Sequence, residues 1–162
     1  MGRRRNALLE PLRHVYGTSD KVWSMALATL LLGAGRTRKR WAEVGGSMVA
    51  IDTLVHNFLH RSGILQRLGA DHLYGPACYG SIGCAEIVRL VANCIDARQF
   101  NPDYPRVFPR FVQSAIWRYC AQTQLNVCNG NQIDDSFSCR NEYCRVFECC
   151  DRVPLRAAAV PS

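Results

Sequence analysis

Residues 16–32, Tyr16-Gly17-Thr18-Ser19-Asp20-Lys21-Val22-Trp23-Ser24-Met25-Ala26-Leu27-Ala28-Thr29-Leu30-Leu31-Leu32, read as a turn that feeds an apolar helix. Gly17 is free to take positive φ, and Ser19 or Asp20 can cap the helix that follows. Val22 to Leu32 is apolar on most sides, which predicts a buried helix, and Gly33-Ala34-Gly35 ends it. Ahead of the turn, Ala7 to Val15 predicts a second, short helix, with Pro11 tolerated near its first turn.

Working outward, Arg36-Thr37-Arg38-Lys39-Arg40-Trp41 reads as a basic loop with one aromatic, and Gly45-Gly46 breaks the chain again. Asp52 to Leu68 repeats apolar residues at Leu54, Val55, Phe58, Leu59, Leu65 and Leu68, a helical stripe. Gly69 to Gly83 is a Gly-rich loop holding Pro76 and Cys78. Cys84 to Ala97 and Phe111 to Thr123 are further helices, with Pro102, Pro105 and Pro109 keeping residues 101–109 extended between them. After Leu125 the periodicity gives way to cysteines. No strand pattern of any length occurs. The expected fold is all-α, in three segments: 1–69 with the turn and the Asp52 helix, 70–123 as a helical region with Gly/Pro-rich loops, and 124–162 as a cysteine-rich tail.

Composition narrows the function classes. At 162 residues with 48% hydrophobic content, the chain can bury a core and does not read as disordered. The apolar run Met25 to Leu32 is far too short to span a bilayer, and no signal-peptide core follows the basic N-terminus. A soluble cytoplasmic protein is expected. Residues 1–61 carry ten Lys or Arg against four acids, a net +6 out of the chain's +7. Clustered cations of this kind gain free energy by releasing counterions from DNA, although a basic solvated face has the same composition.

Nine cysteines are an odd number, which argues against a closed disulfide framework and for metal ligation. Cys128, Cys139, Cys144, Cys149 and Cys150 fall within 23 residues. Four thiolates suit an iron–sulfur cluster or tetrahedral zinc, though no Cys-x-x-Cys knuckle is present. Reduced cysteines packed as small hydrophobes are the third reading. Cys149 and Cys150 are interchangeable as ligands, and Cys120 is either a core residue or a fifth candidate. Cys78, Cys84 and Cys94 read as too scattered for a second site. His72, near Cys78 and Cys84, could complete a zinc group, but a lone loop histidine is usually solvated. His56 and His60, spaced i, i+4, are expected to face DNA or pack in the core.

Several of these segments resemble the helix-hairpin-helix DNA glycosylases, the endonuclease III and 8-oxoguanine glycosylase families. Ala7-Leu8-Leu9-Glu10-Pro11-Leu12 resembles their first hairpin helix, and Val15-Tyr16-Gly17-Thr18-Ser19-Asp20-Lys21 their Leu-Pro-Gly-Val-Gly-x-Lys turn. Gly17 keeps the first glycine, Ser19 replaces the second and Tyr16 replaces the proline. Val49-Ala50-Ile51-Asp52-Thr53 resembles the entry to their catalytic-aspartate helix, with Arg61-Ser62 at its end. The resemblance implies Lys21 and Asp52 as the catalytic pair of a glycosylase with apurinic-site lyase activity in base-excision repair. It implies DNA contacts at Gly17, Thr18 and Ser19, to which the basic Arg36, Arg38, Lys39 and Arg40 would add. It also implies a [4Fe–4S] cluster on Cys128, Cys139, Cys144 and Cys150, where the final interval of five residues matches and the first two are longer; zinc is the alternative. The partner would be double-stranded DNA with damaged bases or abasic sites, and the location cytoplasmic, at the nucleoid. Family members carry a six-helix lobe before the hairpin, of which only a handful of residues could be present here. The alternative is a binding module that excises no base, either a truncated glycosylase relative or a subunit whose missing lobe comes from a partner chain.

Overall fold

The computed structural model describes residues 2–34 and 38–156. All of its regular structure is helical, and among the described residues there is no strand. The helices are α1 (Gly2–Leu9), α2 (Asp20–Leu32), α3 (Lys39–Gly46), α4 (Thr53–Arg61), α5 (Ile64–Arg67), α6 (Cys84–Asn93) and α7 (Pro109–Cys120), with short 3₁₀ turns between them. None is long and apolar enough to cross a membrane. The chain divides into two compact units that interleave along the sequence. The first comprises Met1–Ile51 with Ala85–Ser114, the second Asp52–Cys84 with Ala115–Ser162.

In the first unit α1 runs into a 3₁₀ turn, Glu10–His14, and a tight turn at residues 15–19 leads into α2. Gly17 takes the left-handed conformation, φ +79°, which an L side chain would resist. Thr18 secures the turn: its hydroxyl donates to the Val15 carbonyl (2.8 Å) and accepts from the Trp23 indole N–H (2.8 Å). Arg13 adds a two-pronged contact to Asp20, at 3.1 and 2.9 Å. Ala28 of α2, Val44 of α3, Leu9 and Met48 form a buried cluster, with Trp23, Leu27 and Leu31 packed against it. A Cβ on Gly45 would sit 2.9 Å from the Leu31 Cβ, so the helices approach as closely as that position permits. Phe100, Tyr104, Phe108 and Phe111 stack nearby in sequence, with ring centroids 5.0 to 6.1 Å apart.

Two expectations need correction. Lys39 and Arg40 stand on the first turn of α3 and not in a loop, because Ala42, Glu43 and Val44 continue a helix whose inner face packs on α2. The stripe from Asp52 to Leu68 is not one helix. Gly63 at φ +79° separates α4 from α5, and a side chain there would collide with the Asp151 carboxylate.

The second unit is organised around α4. Asp52 caps it, its carboxylate accepting from the Val55 N–H at 2.9 Å. Val55, His56, Leu59 and Arg61 are its buried residues; Val55 and His56 stand four and three residues before Leu59 on one face of an amphipathic helix, and Arg61 is buried at its end. The tail is tied to the α4–α5 corner by backbone. Asp151 N–H donates to the Ser62 carbonyl (3.3 Å) and Val153 N–H to the Arg61 carbonyl (2.9 Å). Arg67 reaches Asp151 and the Cys149 carbonyl. Past α7 the chain doubles back, Val127 N–H donating to the Tyr119 carbonyl at 2.9 Å.

Candidate metal centre

Four side chains of the second unit bring their donor atoms together: His56, His72, Cys78 and Cys84, all within 4.8 Å of one another. His56 comes from the buried stripe of α4, His72 from the loop after α5, Cys78 from the 3₁₀ turn Pro76–Tyr79, and Cys84 from the first residue of α6. His56 Nδ1 lies 3.4 Å from Cys84 Sγ and 3.6 Å from Cys78 Sγ, and His72 Nε2 lies 3.4 Å from Cys84 Sγ. This two-histidine, two-cysteine group could hold a metal ion.

A hydrogen bond from Cys84 pulls the Cys78 thiol below the ordinary thiol range against the opposing effect of burial, with His56 assisting. The same bond and the buried setting push Cys84 far up.

Two readings of the sequence are overturned here. Cys78 and Cys84 are not too scattered for a site; only Cys94, exposed and bonded to the Leu90 carbonyl, stands apart. His72 is a half-buried member of the group and not a solvated loop residue. His60 does face the interior, but it bonds the Pro154 carbonyl and Asp71 rather than the metal group. Two signals in the sequence pointed to the group: equal five-residue gaps separate His72, Cys78 and Cys84, and His56 sits on the inward face of its helix. The absence of a Cys-x-x-Cys knuckle hid both.

The tail cysteines lie elsewhere in the same unit, and among the described residues the metal-holding group does not include them. Cys128, Cys139, Cys144 and Cys150 line one cavity together with Phe58 and Arg61. Cys149 is exposed, its thiol turned to the Val146 carbonyl, so Cys150 is the member of that pair that faces the cavity. Cys120 is buried beside Cys128 and does not line the cavity. Its hydrogen bond, with the Arg61 charge, brings the Cys128 thiol down to about 7. Tyr119 Oη lies 3.0 Å from Cys144 Sγ.

Lys21 occupies the first turn of α2 in the first unit, half-buried; Asp52 is the α4 cap in the second. Gly17 and Ser19 are exposed in the turn, and Thr18 spends its hydroxyl within the hairpin. Arg38, Lys39 and Arg40 are exposed, Arg38 lying 4.3 Å over the Trp41 ring. Arg36 lies outside the described residues. No family model matches the chain, and no curated protein or solved structure matches it.

Proposed function

We propose that this chain is a DNA-binding protein of the base-excision type, built on a helix-hairpin-helix element and using Lys21 and Asp52 as its reactive pair. The hairpin carries the reading. A left-handed glycine turn leads into α2, and the position before that helix, Ser19, makes no side-chain capping bond. The first N–H groups of α2 thus have no side-chain cap, and such groups at a helix N-terminus bind phosphate. The exposed Arg38, Lys39 and Arg40 add cations of the kind that contact a DNA backbone.

In this scheme Lys21, once deprotonated, adds to C1′ of an abasic sugar. Loss of water leaves a Schiff base, and removal of a C2′ proton then expels the 3′ phosphate. Asp52 stabilises positive charge at the sugar and takes part in proton transfer. The substrate is double-stranded DNA with damaged bases or abasic sites, which places the protein at the cytoplasmic nucleoid. A partner chain would pack against α2, where Val22, Met25 and Leu30 are exposed.

Cys128, Cys139, Cys144 and Cys150 hold a [4Fe–4S] cluster in this reading, with zinc on the same thiolates as the second choice. The fit rests on Arg61: it is 3% exposed, and its Nη1 has no hydrogen-bond partner. An anionic thiolate centre in the adjoining cavity would supply the missing acceptor. Held there, a cluster would supply a negatively charged anchor for the tail; the chemistry at the sugar belongs to Lys21 and Asp52.

A specific observation favours a second reading, a binding module that excises no base: the Asp52 carboxylate is engaged as a helix cap. Borohydride trapping on duplex DNA with an abasic site separates the two. A covalent adduct that disappears in Lys21→Ala supports the enzyme. Salt-sensitive binding without an adduct supports the module. Failure to bind the duplex at all would remove both.

A further inference from the structure

We infer that His56, His72, Cys78 and Cys84 form a structural zinc site that staples the loop between α5 and α6 to α4, separate from the tail cysteines and independent of any activity on DNA. In a tetrahedron with Zn–S of about 2.3 Å and Zn–N of about 2.0 Å, sulfur and nitrogen donors are separated by roughly 3.5 Å. The three separations found here, 3.4, 3.6 and 3.4 Å, have that value before any ion is placed. Nitrogen and thiolate in equal number with tetrahedral spacing select zinc over the hard cations, which take oxygen.

The tautomers are prepared as well. His72 Nδ1 lies 2.5 Å from the Ala70 carbonyl, to which it donates, and this leaves the Nε2 lone pair directed at the sulfurs. Such an outer contact fixes the ring and raises its basicity as a ligand. His56 has Tyr74 tilted against it, with centroids 5.7 Å apart, so an aromatic ring screens one side of the group. All four positions are taken by protein, and three of the four residues are buried. That is the closed arrangement of a structural site, with no position left for water or substrate.

The loop needs such a staple. Between residues 71 and 82 Cys78 is the one fully buried side chain, while Leu73 is 89% exposed and Ile82 is 63% exposed. A segment this poor in apolar burial does not hold its own backbone in place. The ligands attach it at three points, His72 near its start, Cys78 in its middle and Cys84 where α6 begins, alongside the Asp71 contacts to His60 and Gln66 and the Tyr74 ring on His56.

The test is metal analysis of the full-length protein, followed by titration of the metal-free chain with Zn²⁺ or Co²⁺. Cobalt should give thiolate charge-transfer and intense tetrahedral visible bands. Cys78→Ser and Cys84→Ser should each lose one equivalent of zinc, whereas Cys144→Ser should keep it. His72→Ala, which spares the buried thiols and so is expected to fold, should bind zinc at least about tenfold more weakly. Chelation should open residues 71–82 to proteases. Wild-type protein that takes up no zinc or cobalt, or Cys78→Ser protein with its full complement, would overturn the assignment. Trapping on abasic DNA has no bearing on these outcomes.

Discussion

Arg61 of α4 and Asp135 of the tail are ion-paired across 74 residues of sequence, and the Arg61 side chain is only 4% exposed. A guanidinium removed from water is stable only while its acceptors are present. The pair therefore adds a buried ionic tie to the backbone bonds and the Arg67 contacts that hold the tail on α4 and α5.

Asp135→Asn should lower stability by about 2–3 kcal/mol, less than the roughly 3–5 kcal/mol of a fully buried broken pair because Asp135 keeps part of its surface in solvent. Arg61→Met, which removes the buried charge altogether, should cost less. Denaturant titration of the two variants checks the order. A larger loss for Arg61→Met would mean that the guanidinium is not the burdened group.

Neighbouring tail cysteines should behave differently. Cys150 lines the cavity with Cys128, Cys139 and Cys144, and Cys149 is exposed with its thiol bonded to the Val146 carbonyl. In anaerobically purified protein Cys150→Ser should therefore lose the broad absorbance of an iron–sulfur cluster, and Cys149→Ser should retain it. A colourless, zinc-loaded wild-type protein would exclude the cluster while leaving the same ligand ranking open to zinc analysis.

Gly83 precedes the metal ligand Cys84 and is packed against the turn that carries Cys78. A Cβ there would overlap the Ala77 carbonyl and lie 2.7 Å from the Cys78 carbonyl carbon. Both neighbours are backbone and cannot swing aside. Gly83→Ala should cost about 1–3 kcal/mol by overpacking and weaken metal uptake together. Unchanged zinc affinity in that variant would show that the turn can shift without disturbing Cys78.

Asp96 offers a pH test remote from the metal. A hydrogen bond and charge attraction from Arg98 hold its carboxyl near 2, below its ordinary 3.8. A depressed folded value means that the stabilisation is present above the unfolded value and lost as pH falls through the folded one. The window is therefore about pH 4 down to 2. A carboxyl-carbon NMR titration should place the Asp96 midpoint near the lower figure, and Arg98→Ala should move it up toward 3.8. A midpoint unchanged by that substitution would rule out Arg98 as the cause.

Local patterning determined much of this protein. The apolar run into Leu32, the stripe on Val55 and Leu59, the prolines at 102, 105 and 109 and the lack of alternation dictate an all-α chain, because helix periodicity is written in neighbouring residues. The left-handed turn at Gly17 was legible for the same reason. The helix through Lys39 and Arg40 was not: its charged start reads as a loop, and only the packing of Val44 onto α2 reveals it. The metal group belongs to tertiary structure more fully still. His56 and Cys84 are 28 residues apart, and no local rule brings a helix face, a glycine-rich loop and the start of another helix to one point. Chain folding around α4 does so, and the same folding picks Cys150 over Cys149 by placing one against the cavity and leaving the other exposed.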